Sequence, residues 1–150
     1  MSNGYTIEEA KHLEEGWFFY DHAWSLAHHL MSRFKGNTCL DVGCGTGLAI
    51  GLYGNCKLDM QFRGCEPNDV SREIWEKRGI DVDVTSATDL IYEDSSFDTV
   101  IASHVLEHID DEALALSELA RVASKRLIII VPQGNVDEKN PGSPHLRYYN

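Results

Sequence analysis

Apolar positions along this chain change period several times, and the changes mark its elements. Ala23, Leu26, Ala27, Leu30, Met31 and Phe34 recur at helical spacing and predict a helix with one buried face, closed by Gly36-Asn37. Ahead of it, Thr6-Ile7-Glu8-Glu9 has the form of a capping box that opens a short helix. Residues 38–42 predict a buried strand, followed by a glycine-rich turn and a helix over about 46–53. A second strand is expected at about 60–65, ending at Glu66-Pro67. Asn68-Asp69 then stands where it can cap a helix running to Arg78, which Gly79 stops. Residues 80–84 predict a short third strand and 97–103 a fourth. A helix through Val122 follows, with Leu116, Leu119, Ala120 and Ala123 on one face. Residues 127–131 are consecutive large aliphatics closed by Pro132, the pattern of a central strand covered on both faces. Strands alternating with helices predict an α/β fold, a doubly wound, mainly parallel sheet with helices on both faces.

Composition narrows the class. At 150 residues the chain is expected to form one domain, with 43% hydrophobic residues to build its core. Within it, 1–36 reads as N-terminal helices, 37–132 as the core and 133–150 as a tail. Thirteen Lys+Arg against 24 Asp+Glu give a net charge of -11, which repels a phosphate backbone; nucleic-acid binding is not expected. No apolar run approaches the ~20 residues that cross a bilayer, so no membrane partner is expected. The first residues lack a signal-peptide pattern. Cys39, Cys44, Cys56 and Cys65 have no metal-finger spacing, and a reducing, cytoplasmic location is the simplest expectation.

The chemistry concentrates after the first predicted strand, at Cys39-Leu40-Asp41-Val42-Gly43-Cys44-Gly45-Thr46-Gly47. In an open α/β sheet, ligands sit beyond the carboxyl ends of the strands, where this turn falls. Glycines there permit backbone dihedrals closed to other residues and close approach of a ligand. Gly-x-Gly-x-Gly departs from the dinucleotide fingerprint, whose last position is occupied here by Leu48, and the Gly-Lys-Ser/Thr of a phosphate loop is absent. Asp41 beneath the turn repels phosphate and attracts an ammonium group. Glu66, at the end of the second strand, can accept both hydroxyls of a ribose. A ribose and a positive charge without pyrophosphate describe S-adenosylmethionine, and argue against a nicotinamide oxidoreductase.

At these residues the chain resembles the class I S-adenosylmethionine-dependent methyltransferases, the small-molecule methyltransferase domains in particular. Cys39 to Gly47 matches the family's first motif and Glu66 its ribose-binding acid. Thr88-Asp89-Leu90 ahead of Phe97-Asp98-Thr99-Val100 matches the adenine-contact segment. Ser103-His104-Val105-Leu106-Glu107-His108 matches the stretch after the fourth strand. The resemblance spans about residues 17–150. It implies a Rossmann-like fold and methyl transfer from S-adenosyl-L-methionine, leaving S-adenosyl-L-homocysteine, to a small-molecule acceptor. It further implies that Asp41 organises the methionyl ammonium and that Gly43, Cys44, Gly45 and Gly47 line the methionine part. Glu66 and Pro67 would meet the ribose, while Asp89 and the Leu90 amide would meet the adenine. Ser103 and His104 would lie near the sulfonium, and Tyr20 or Trp17 would close over the cofactor. Members of the family continue past a fifth strand with a helix and an antiparallel strand pair, so this sheet is expected to lack its last strands. Residues 127–131 would then form an open edge through which two copies could pair.

Several residues carry two readings. His104, Glu107, His108 and Glu112 share one face if their helix is unbroken and could bind a divalent ion, but such spacing more often marks solvated or hydrogen-bonded groups, and no metal is expected. His145 is a candidate general base beside His104, or part of a mobile tail. Trp17, Phe18, Phe19, Tyr20 and Trp24 are core or a lid. A domain that binds the cofactor without turnover, as a regulatory module, is the alternative to an enzyme.

Overall fold

The structure is a computed structural model, which describes residues 29–56, 59–132 and 149. The described part of the first helix ends at residue 31, with Leu30 and Phe34 buried as the periodicity expects. The elements that follow are β1 (Thr38–Val42), α1 (Leu48–Cys56), β2 (Gln61–Glu66), α2 (Arg72–Arg78), β3 (Val82–Val84), β4 (Phe97–Ser103), a 3-10 turn (Leu106–His108), α3 (Glu112–Val122) and β5 (Ala123–Ile130). All four strand pairings are parallel and the order is β3-β2-β1-β4-β5. The chain therefore runs outward from β1 through β2 to β3, then returns to the other side of β1. The point of reversal lies between β1 and β4, where a crevice opens beyond the strand ends.

Alternation along the strands builds two cores. Leu40, Val42, Val100 and Ala102 face Ala115, Leu119 and Val122 of α3. Cys39 and Ile101 face Leu52 and Tyr53 of α1, with Leu30 and Phe34 closing that layer. Phe34 meets Tyr53 edge-on at 5.2 Å between ring centres. Helices thus cover both faces, which is the doubly wound architecture the sequence predicts.

Two salt-linked clusters tie loops to this frame. Asp98 accepts the Asn37 amide at 2.7 Å and pairs with Lys125 at 2.8 Å, and these contacts hold its carboxyl down to about 2. The same carboxyl crowds Gly36, whose φ of +73° leaves no room for a side chain. On the opposite face Arg121 donates to the carbonyls of Leu90 (2.9 Å) and Tyr92 (2.7 Å) while held by Glu118 at 2.7 Å, and Glu118 accepts the Leu90 amide at 2.9 Å. This clamp fixes the connection between β3 and β4.

Three expectations need correction. β5 is not central: among the described residues it pairs with β4 alone, and Ile129 is 38% exposed. A run of aliphatics reports side-chain burial and not the number of neighbouring strands. The cap of α2 is Ser71, not Asn68-Asp69, because the Asn68 side chain accepts the Val70 amide at 3.2 Å in a local turn. Finally, residues 104–112 are not one helix. The 3-10 turn ends at Ile109 in an extended conformation, and Asp111 starts α3 afresh by accepting the Leu114 amide at 3.0 Å. His104, Glu107, His108 and Glu112 therefore do not share a helix face. Among the described residues no group of three or more His, Cys, Asp or Glu is placed to hold a metal ion.

Candidate functional site

A cavity of about 310 Å³ opens at the carboxyl ends of four strands. After β1 come Gly43 and Gly45, at the end of β2 Glu66 and then Pro67, after β3 Thr85, Ser86 and Ala87, and after β4 His104 and Val105. Its volume falls in the range of small-ligand sites, roughly 300–1,000 Å³. A larger cleft of about 540 Å³ lies between α1 and the segment 78–81, away from the acidic pair and the switch point, and we place the chemistry in the smaller one.

The glycine turn is built from left-handed backbone. Gly43, Gly45 and Gly47 have φ of +70°, +55° and +75°. A side chain on Gly43 would come within 2.5 Å of Val105, whereas one at Gly45 would meet nothing, so Gly45 is the residue that presents bare backbone. The Gly43 and Cys44 amides donate to the Cys65 carbonyl, and the Trp75 indole donates to the Gly45 carbonyl at 2.8 Å. Glu66 accepts the Gly45 amide at 3.0 Å through one oxygen and the Asn68 side-chain amide at 3.3 Å through the other. Each carboxylate oxygen keeps acceptor capacity beyond that bond. Burial raises the Glu66 carboxyl above its ordinary range, partly offset by the Gly45 amide.

Asp41 lies beneath the turn, 5% exposed, with no side-chain hydrogen bond among the described residues. Desolvation first, then the negative charge of Glu66, push its carboxyl up to about 7. The two acids are thus close enough for the charge of Glu66 to act on Asp41.

β4 ends in a kink. His104 has φ of +56°, in the left-handed region, and its amide donates to the Ile130 carbonyl at 2.8 Å. A non-glycine residue held there costs about 1–3 kcal/mol. The kink places a half-exposed imidazole on the cavity wall. Its Nδ1 lies 3.2 Å from Oε1 of Glu107, a fully buried side chain whose Oε2 has no hydrogen-bond partner among the described residues.

Of the residues expected at the site, Gly43, Gly45, Glu66, Pro67 and His104 line the cavity, with Asp41 underneath. Gly47 packs toward Ile80 and Trp75, and the Cys44 thiol turns toward Gly64, so each supports the turn from outside the lining. Ser103 is the last residue of β4, paired with Ile130. Asp89 and Leu90 are not among the residues that line the cavity. Asp89 is at the exposed corner of a turn closed on Ser86, and the Leu90 amide is already bound by Glu118. Ser86 and Ala87 take their place on the wall, followed by His108 and Ile109. The available signal was position, since these residues directly follow the end of β3. Tyr20, Trp17 and His145 lie outside the described residues.

The fold is that of a Rossmann-like α/β domain with a cavity at its switch point. Residues 40–131 match the family described as "Methyltransferase domain", and the chain belongs to that family. It is 32% identical over 105 residues to ajmaline N-methyltransferase of Rauvolfia serpentina, covering 65% of this chain and 36% of that protein. It is 31% identical over 109 residues to a tRNA (carboxymethyluridine(34)-5-O)-methyltransferase of Arabidopsis thaliana, covering 71% and 26%. The chain thus spans about a third or less of the length of these relatives. A crystal structure of an S-adenosylmethionine-dependent methyltransferase from Thermotoga maritima superposes with a TM-score of 0.72 at 24% identity, covering 96% of this chain and 72% of that one, and shares its fold.

Proposed function

We propose that this chain binds S-adenosyl-L-methionine in the cavity at the switch point and transfers its methyl group to a small-molecule acceptor. The observation that carries this reading is the acidic pair around a bare glycine turn, Glu66 on the wall and Asp41 beneath it. The donor set fits the cofactor. Glu66 retains lone pairs for ribose hydroxyls, Gly45 leaves open space above its backbone, and Asp41 offers a desolvated carboxyl to an ammonium group. A carboxyl raised to about 7 gives up its proton readily when a cation arrives. Ser86 and Ala87 stand where the adenine would lie. When bound, the cofactor supplies a methyl group already activated by a positive sulfur, so the protein's task is alignment and exclusion of water. Alignment of this kind can supply ~7–11 kcal/mol of a barrier.

One of the relatives is named for ajmaline and another for tRNA, and the charge of -11 favours a small molecule over a polyanion. Calorimetry with S-adenosylhomocysteine on the wild type, Asp41→Ala and Glu66→Ala tests the site; undiminished binding in both variants would sink it. Transfer from labelled cofactor to a panel of small amines and hydroxyl compounds, with bulk tRNA in parallel, tests the acceptor class. Labelling of tRNA alone would overturn the small-molecule assignment.

A further inference from the structure

Glu107 is a carboxylate in the wrong place for stability. Its side chain is fully buried; among the described residues Oε2 has no hydrogen-bond partner, and Oε1 lies 3.2 Å from Nδ1 of His104. Leaving a buried acceptor unpaired destabilises a fold, and an apolar side chain of similar volume would pack there at no such cost. His104 is also held against preference, with φ of +56°. Two adjacent unfavourable placements that meet in one contact point to a shared purpose. A carboxylate can only accept, so it fixes the neutral imidazole with its proton on Nδ1. Nε2 is then a bare lone pair on a side chain that lines the cavity between the glycine turn and His108.

We propose that Glu107 is a positioning residue that makes His104 the base for an acceptor that arrives protonated, a hydroxyl or an amine. The proposal rests on the methyltransferase reading above. In the step, the acceptor's lone pair forms the new bond to the methyl carbon, the carbon–sulfur pair stays on sulfur, and the acceptor's proton passes to Nε2 of His104. The positive charge that leaves the sulfonium ends on an imidazolium beside Glu107, whose carboxylate stabilises it. Glu66 and His108 are the other ionisable groups of this wall.

The test compares wild type, Glu107→Gln and Glu107→Leu by four measurements. Melting temperature should be equal or higher in both variants, whereas a structural role predicts a fall. Affinity for S-adenosylhomocysteine should stay within about twofold, the span expected of a residue that touches no cofactor. Nitrogen-15 spectra of the neutral histidines should show His104 protonated on Nδ1 in the wild type and shifted toward Nε2 protonation in Glu107→Leu. Turnover of a series of phenols graded in acidity should fall ~100-fold in Glu107→Leu for the least acidic member, the size of a general-base contribution, and converge with wild type for phenols already ionised. Glu107→Gln, which can still accept from Nδ1, should fall in between. Lower melting temperatures, failure of both variants to fold, or an unchanged His104 tautomer would overturn the proposal. Absence of S-adenosylhomocysteine binding by the wild type would instead defeat the methyltransferase reading, so the two failures are distinguishable.

Discussion

Replacing Asp41 by Asn separates stability from binding. In the cofactor-free protein, desolvation and Glu66 raise the Asp41 carboxyl from 3.8 to about 7. A group whose folded-state value lies above its unfolded one binds more protons when folded, so the fold loses stability as pH rises between these two values. At ~1.4 kcal/mol per pH unit, that gap sets a ceiling of ~4 kcal/mol on the destabilisation above neutrality. Asn keeps the shape, carries no charge and removes this term. At pH ~8, Asp41→Asn should therefore melt higher than wild type by several degrees, at roughly 2–4 °C per kcal/mol for a domain of this size. Toward pH ~3, below both values, the wild-type carboxyl is largely protonated in both states, and the two curves should converge. Saturating S-adenosylhomocysteine should reverse the order, because its ammonium group compensates the aspartate and has no counterpart for the asparagine. The assay is differential scanning fluorimetry across pH, with and without ligand. A variant that melts lower at pH ~8, or a difference that does not change with pH, would refute the argument.

Other consequences are open to direct measurement. Gly64→Ala would put a methyl 2.6 Å from the Cys44 sulfur and 2.8 Å from Ile50, so urea unfolding should show a loss of about 1–3 kcal/mol, part of it recovered by adding Cys44→Ala. Arg121→Ala releases the Leu90 and Tyr92 carbonyls, and hydrogen exchange at residues 90–94 should accelerate while β1 stays protected; uniform acceleration would deny the clamp a local role.

How much was legible varies with the physics behind each signal. β1 and β4 were bounded correctly because a buried parallel strand reads as a short apolar run, and the residue at which Gly79 stops α2 follows from its left-handed backbone, φ +63°. That Gly43, Gly45 and Glu66 stand at the carboxyl ends of β1 and β2 was readable because turn chemistry and strand ends are local. What failed depends on partners distant in sequence. That β5 pairs with β4 is set by strand order, which five aliphatics do not encode. The Leu90 amide was lost to Glu118, 28 residues away. Asn68 reads as a cap until Glu66 is seen beside it, where its side-chain amide supports the acid. The cost of Glu107 appears only when its burial is known.

The hydrogen bond from the Trp75 indole to the Gly45 carbonyl makes the glycine turn optically readable. The ring is buried, 3% exposed, and its one polar atom is fastened to the backbone that a ligand would touch. Indole emission responds to the strength of such a bond, so occupancy of the turn is transmitted to a chromophore outside the cavity. With Trp17 and Trp24 replaced by Phe, the protein would carry its own fluorescent gauge, and acceptors or inhibitors could be ranked without a label or a coupled enzyme.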